Sequence, residues 1–402
     1  MVLHRPVLPR IFRKEKEAFA GWAHKAMVPC AVPCPFFSCF RSLVPFVLFL
    51  FVRAMSAAPS IPTTMKAVVV RAHGGVEALS YETDYPVPEL ADGQVLVKNH
   101  YAGLNFIDTY YRSGLYKQEL PFVSGGEGGG TVVAVSKSLV DNDAKSDIQV
   151  GDQVVYMKLG TYCEFTAVPA DAIVKLPTGM DMGKALACMV QGLTAHYLTT
   201  DATVGLIKPS EWCLIYSVGS GTCQWAAQMA KLRGYKVIGT TSVSKQASAP
   251  KCCHELIVLD TVAGKTYSDY SSVDIVQRVM EITGGQGVKL IVDGVGKSTS
   301  EISIQCLARR GMWISFGNAS GAVPPFSLLR LTPKSAFCTR PKLGDYIVTR
   351  DELQHRAQEV FGWVSTGDLD VNVDQVFPLD QVKEGHTYLE SGQSKGKVLF
   401  RL

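Results

Sequence analysis

The chain has 402 residues, is 47% hydrophobic and carries a formal charge of +4, so it is long and apolar enough to bury the cores of two domains and is not of disordered composition. Residues 1–54 alone carry +6, eight Lys and Arg against Glu15 and Glu17, which leaves the remainder at −2 and without the basic footprint that nucleic acid requires. Three of the eleven cysteines fall in that segment and the other eight have no regular spacing, which points away from a disulfide framework and towards reduced thiols in a cytoplasmic setting.

Residues 1–54 pass from a basic start through a Pro/Cys/Phe-rich stretch into the apolar run Leu43–Val52. That run is too short to span a bilayer, so no membrane span is expected. Its layout resembles a signal peptide or anchor, which would allow mitochondrial or membrane targeting; the alternative is that translation begins at Met55 or Met65. Residues 1–64 are expected to form a poorly ordered extension.

From Met65, strand-like runs follow at Lys66–Val70, Val95–Lys98, Thr131–Val135, Gln153–Met157 and Thr161–Val168, separated by Gly, Pro and Asp. The dense run Gly125–Gly130 leads into a strand and not a helix, so it predicts close backbone packing rather than an anion site. Helix and strand then alternate: Ala185–Leu198, the unit Trp212–Thr240, Val273–Ile282, Val288–Asp293, Ile302–Arg309 and Gly311–Gly317. This is the α/β pattern of a parallel sheet covered by helices. After Pro324 the chain is expected to return to the first domain and end in a strand at Lys397–Leu402. The predicted division is 65–184 with 326–402, and 185–325.

Trp212–Thr240 is the most informative stretch. An apolar strand, the turn Ser217-Val218-Gly219-Ser220-Gly221, a helix opened near Thr222 and a second strand follow in order. Such a turn leaves helix N–H groups aimed at an anion, usually a dinucleotide pyrophosphate. Gln224 stands where a third glycine would complete the G-x-G-x-x-G pattern. An NAD site usually places an acid about 20 residues past the first glycine. Here Gly239–Lys245 has none, and the hydroxyl of Ser242 with the ammonium of Lys245 suits a ribose 2′-phosphate. NADPH is therefore the expected coenzyme. Two decoys are set aside: Gly294–Ser298 lacks the first glycine of a phosphate loop, which would fall on Ile291, and Cys252-Cys253-His254 places adjacent side chains apart, a poor metal site.

The segments Asn105–Tyr116, Gly192-Leu193-Thr194-Ala195, Ser315–Gly321 and Thr339-Arg340-Pro341 are similar to those of the zinc-free quinone oxidoreductases of the medium-chain dehydrogenase/reductase superfamily, the group that includes zeta-crystallin. The resemblance runs from Met65 to the C-terminus. It implies an α/β protein with a GroES-like β-rich catalytic domain and a Rossmann, doubly wound parallel-sheet coenzyme domain. It also implies a homodimer and hydride transfer from NADPH to a small-molecule quinone or enone. No nucleic-acid partner is expected.

Asn105, Tyr110 and Tyr116 would line the mouth of the cleft, Asn105 on the nicotinamide side and a tyrosine stabilising or protonating the oxyanion that forms. Thr194, Ser217, Gly219, Ser220, Gly221, Thr222, Tyr270, Phe316, Asn318 and Ser320 would join Ser242 and Lys245 around the coenzyme. Three departures stand out. Ser220 and Cys223 occupy glycine positions of the family turn, which is expected to weaken or reshape coenzyme binding. The family's C-terminal arginine falls on Gly392, leaving Lys395 or Lys397 to supply its charge. Where zinc-dependent relatives have Cys and His, this chain has Asn105 and Gly126, so no metal site is expected. The alternative functions are a non-catalytic, NADPH-binding crystallin-like protein, structural or RNA-associated, and a zinc alcohol dehydrogenase.

Overall fold

Alternating apolar and polar residues in the first half build antiparallel sheets, whereas continuous apolar runs in the second build a buried parallel one. The computed structural model describes residues 61–141, 147–219, 221–261 and 269–402, all within the unit Ala57–Leu402. Residues 1–60 of the expected extension and Ser220 lie outside the described residues, whereas Thr64, expected in that extension, opens the first strand and pairs with Pro86.

The antiparallel part contains β1 (Thr64–Val70), β2 (Leu79–Pro86), β3 (Gln94–Leu104), β4 (Phe122–Val123), β5 (Glu127–Val135), β6 (Gln153–Met157), β7 (Phe165–Pro169) and β8 (Ile173–Lys175). A small sheet has the order β2-β1-β4. A larger, mixed one runs Val373–Pro378, Lys397–Arg401, β3, β5, β6, β8, with β7 also on β3; its first pair is parallel and the others are antiparallel. The glycine run lies partly inside β5, and a Cβ on Gly130 would stand 2.0 Å from the Lys98 carbonyl oxygen of β3. The two strands approach this closely only without a side chain there.

The parallel sheet contains β9 (Trp212–Ile215), β10 (Lys236–Ser242), β11 (Glu255–Leu259), β12 (Val288–Asp293), β13 (Leu307–Ser315) and β14 (Phe337–Thr339), in the order β11-β10-β9-β12-β13-β14. Counted from β9 this is 3-2-1-4-5-6, the doubly wound order, whose ligand crevice opens at the carboxyl ends of the strands, where the order reverses between β9 and β12. Cys213, Leu214 and Ile215 of β9 are fully buried, which accounts for their unbroken apolar run. β14 covers the outer edge of β13, whose backbone groups would otherwise be unpaired. The parallel sheet thus continues past residue 325, and the boundary expected at 325/326 does not separate the sheets.

The predicted helix Ala185–Leu198 is interrupted. Helix Met182–Ala187 passes into a π-helical stretch, Cys188–Leu193, before helix Thr194–Thr199. Such turns are frequent at functional sites, and this one carries Gln191. No helix among the described residues is long and apolar enough to cross a membrane.

Val204, 68% exposed, has φ +43° and ψ +33°, a left-handed conformation that crowds a β-branched side chain. Val204→Asn, which tolerates this region, is expected to raise stability by about 1 kcal/mol. A lower thermal midpoint in the variant would show that Val204 is not strained.

Candidate active site

The turn that follows β9 is held from several sides. Ser217 has φ +58°; its N–H donates to Thr240 Oγ1 at 3.0 Å and its hydroxyl lies 2.8 Å from the Tyr270 hydroxyl. The structure thus joins Ser217 to Tyr270 across 53 residues. A Cβ on Gly219 would stand 2.8 Å from both Thr241 Oγ1 and Lys245 Cβ, so only glycine lets the turn lie against β10. Gly221, φ +49°, opens helix Gly221–Leu232, with Thr222 in its first turn.

Two buried polar atoms beside this turn have no partner, Thr241 Oγ1 and Gln191 Oε1. Gln191 Nε2 lies 3.7 Å from where a Gly221 Cβ would stand. Lys245 is buried, and burial lowers its ammonium pKa to about 8, with Asp374 drawing it up and Lys395 pushing it down. Ser242, also buried, lies 3.1 Å from the Ser244 hydroxyl. A narrow glycine cradle, unpartnered polar atoms, a helix N-terminus and an ammonium suit a phosphorylated dinucleotide.

Lys395 is exposed, and its backbone is pinned three ways. Its N–H donates to Asp374 Oδ2 at 2.8 Å, while its carbonyl accepts from Gln224 Nε2 at 2.6 Å and Asn372 Nδ2 at 2.9 Å. Gln224 therefore ties helix Gly221–Leu232 to the C-terminal loop.

At the carboxyl ends of β12 and β13, the Asn318 N–H donates to the Tyr110 hydroxyl at 3.1 Å and Asn318 Nδ2 to the Tyr116 hydroxyl at 3.4 Å. Arg340 Nη2 also donates to Tyr116, at 3.2 Å, while its Nη1 donates to the Ser315 and Gly317 carbonyls, both at 2.9 Å. Burial holds the Tyr110 hydroxyl above its ordinary range, so it stays protonated. Phe316 packs against Gly294, and Ser320 bridges the Val295 carbonyl and the Ser298 N–H, each at 2.9 Å.

Beneath these loops Asp293 accepts from the Val295 and Gly296 N–H groups, the hydroxyls of Thr299 and Ser303 and the Trp313 indole. Burial raises its pKa against those donors. Asp293, rather than a phosphate, organises the Gly294–Ser298 loop.

Asn105 precedes helix Phe106–Ser113, whose Asp108 accepts the Asn105 N–H at 2.8 Å. The Asn105 side chain donates to Glu127 Oε1 at 2.7 Å and accepts from Lys397 Nζ at 2.9 Å. One amide hydrogen remains for a ligand. Lys397 and Glu127 are fully buried and ion-paired, and Lys397 also donates to the Leu104 carbonyl. This corrects the expectation for Lys397: its charge is spent on Glu127 inside the protein and is not available to a phosphate. Thr194 is buried at the start of its helix. Asp108, buried with Oδ1 unpartnered, is pushed up to about 7 by desolvation.

Residues 91–206 match the family model of the alcohol dehydrogenase GroES-like domain, and residues 258–399 that of the zinc-binding dehydrogenases. A quinone oxidoreductase of Pseudomonas aeruginosa is 37% identical over 83% of this chain and 99% of its own length. The chain belongs to the quinone oxidoreductase family. It is thereby an oxidoreductase of the medium-chain dehydrogenase/reductase superfamily. The crystal structure of Escherichia coli quinone oxidoreductase complexed with NADPH matches with a TM-score of 0.76 at 36% identity, covering 84% of this chain and all of that one. A 2-haloacrylate reductase of a Burkholderia species is 31% identical over 83% of this chain and 98% of its own.

Among the departures from the family turn, Cys223 stands inside the protein rather than at its surface. It is buried in the first turn of its helix, and burial pushes its thiol up to about 12. Gly392 has φ +71° after helix Val382–Glu390, a conformation that disfavours the arginine expected there. Sequence reasoning missed Gln191, Thr241, Glu127 and Arg340. Arg340 stood in a quoted family segment without a role, and the single charge within the Gly125–Gly130 run was the available sign of Glu127.

Proposed function

We propose that this protein reduces quinones, or alkenes activated by a carbonyl, using NADPH and no zinc. When bound, NADPH supplies a hydride from its nicotinamide. Lys245 and Lys395 offer cations to the 2′-phosphate from the coenzyme sheet and the C-terminal loop, while Thr241 and Gln191 offer their unpartnered atoms to the rest of the coenzyme. The observation that carries the reading is the meeting of Tyr110, Tyr116, Asn318 and Arg340 at the crevice mouth. With two donors already on its oxygen, Tyr116 directs its own proton outward, suited to the oxyanion left on a carbonyl acceptor. Asn105, held by Glu127 and Lys397, keeps one amide hydrogen for the nicotinamide.

Under this reading residues 65–184 with 326–402 act as catalytic domain and 185–325 as coenzyme domain, with β14 lent to the coenzyme sheet. We also assign the protein to the cytoplasm, in keeping with eight free thiols among the described residues. A homodimer is supported by the short edge strand β14 and the exposed Phe337, Leu328 and Leu329 nearby; light scattering at a mass of one chain would exclude it.

The test is NADPH oxidation by the purified protein with 1,2- and 1,4-naphthoquinone and an enone, with NADH and a metal chelator in parallel. Turnover that is acceptor-dependent, NADPH-selective and indifferent to chelator is expected; loss of activity with chelator restored by zinc would overturn the metal-free reading. Tyr116→Phe is expected to lower kcat by on the order of 10- to 100-fold with NADPH affinity unchanged. An unaltered kcat would remove Tyr116 from the chemistry.

A further inference from the structure

Arg71, Arg112, Arg330, Arg350 and Arg356 are each paired with a carboxylate. Arg340, at the crevice mouth, has no carboxylate at ion-pair distance among the described residues, yet its guanidinium is held in place. Its Nη1 donates to the Ser315 and Gly317 carbonyls, both at 2.9 Å, and its Nη2 to the Tyr116 hydroxyl at 3.2 Å. These bonds leave the Nε–H and one Nη2–H unused, and the residue is exposed to an incoming ligand. We propose that Arg340 selects the acceptor, and that the preferred acceptors carry an ionised oxygen group, a carboxylate, sulfonate or ionised hydroxyl, beside the carbonyl that is reduced. This deepens the function proposed above and rests on it.

An anion at this point could belong to the coenzyme or to the acceptor, and the sheet order favours the acceptor. In the proposed reading the coenzyme phosphates lie over the turn after β9 and beside Lys245, which follows β10. Arg340 follows β14, four strands from β10. At about 4.8 Å between strands it stands roughly 19 Å from the 2′-phosphate side.

The acceptor, by contrast, meets Arg340 at a shared atom. Tyr116 gives its proton to the acceptor oxygen and takes a hydrogen bond from Arg340, so an ionised group on the adjoining carbon comes within reach of the guanidinium. Tyr116 also stands edge-on to Tyr110 and Tyr111, with ring centroids 5.2 and 5.9 Å away, which offers aromatic surface to a flat acceptor. A guanidinium already fixed on one side loses little freedom when it takes a second partner. The reduction itself balances as before. The acceptor gains two electrons and a hydrogen as hydride from NADPH and a proton from Tyr116, which water replaces; the ionised group is unchanged.

The experiment compares kcat/KM for 1,4-naphthoquinone-2-sulfonate and for 2-methyl-1,4-naphthoquinone at saturating NADPH, in the parent protein and in Arg340→Gln. Intrinsic reactivity differs between the two quinones but cancels when the sulfonate-to-methyl ratio of the variant is divided by that of the parent. This quotient is expected to fall by about 10- to 100-fold, the worth of one charge-assisted hydrogen bond. Arg340→Lys should fall between, because an ammonium keeps the charge without the fork. Equal losses with both quinones would make Arg340 a support for Tyr116 alone and overturn the proposal. A loss matched by weaker NADPH binding would give Arg340 to the coenzyme and overturn it too. A second measurement needs neither a variant nor turnover. In equilibrium dialysis with NADP+ present, the parent protein should bind naphthalene-2-sulfonate about 10-fold more tightly than the neutral naphthalene-2-sulfonamide, with the margin shrinking as salt is added; equal binding would overturn the proposal. Sulfonate selectivity without turnover of either quinone would count against the proposed reductase and leave the anion subsite standing.

Discussion

Lys397→Met is expected to destabilise the protein by about 3–5 kcal/mol, the usual loss when one partner of a buried ion pair is removed. Lys397 Nζ donates to Glu127, to Asn105 Oδ1 and to the Leu104 carbonyl, and neither charged side chain reaches water. Glu127 also accepts from Asn105 Nδ2 at 2.7 Å and from the Val190 N–H at 2.8 Å. With the ammonium gone, two neutral donors must hold a carboxylate that has lost its counter-charge. Combining Lys397→Met with Glu127→Gln removes both charges and should recover much of the loss, because Gln still accepts from Val190 and the Asn105 amide is free to turn. Denaturant midpoints of the single and double variants decide the matter; a single variant as stable as the parent would mean that the pair is not held in the core.

Lys245→Gln should weaken NADPH binding by about 10- to 100-fold, the worth of one charge-assisted hydrogen bond to phosphate, and leave NADH binding nearly unchanged. The pH dependence gives a second reading. Because burial lowers the Lys245 pKa to about 8, the cation is present below that pH and is lost above it. KM for NADPH should rise between about pH 7.5 and 9.5 in the parent protein and stay flat in the variant, while KM for NADH stays flat in both. Folding runs the other way: a depressed ammonium pKa means that the folded state holds fewer protons than the unfolded one, so this residue's contribution to stability improves as pH rises through 8. Weaker binding without weaker folding at high pH therefore identifies Lys245 at the phosphate. A parallel rise in KM for NADH would remove it from that role.

What the sequence by itself determined was local. In Trp212–Thr240, period, glycine placement and the length of the apolar runs sufficed to read strand, turn, helix and strand, because each depends on neighbours within a few residues. The absence of an acid between Gly239 and Lys245 was legible for the same reason, as was the close strand contact at Gly130. Tertiary structure alone decided which charges are spent and which are free. Lys395 and Lys397 differ by two positions along the chain, yet one is exposed beside Lys245 and the other is buried against Glu127 across 270 residues. Arg340 reaches Tyr116 across 224 residues, and Gln191 faces the coenzyme turn because of a π-helical stretch that its periodicity does not announce. β14 is three residues long, too short for any pattern, and joins the parallel sheet because β13 leaves an edge to be paired. Periodicity records which face of an element is apolar; the partner that satisfies a buried polar group is fixed only when distant segments are brought to the same point.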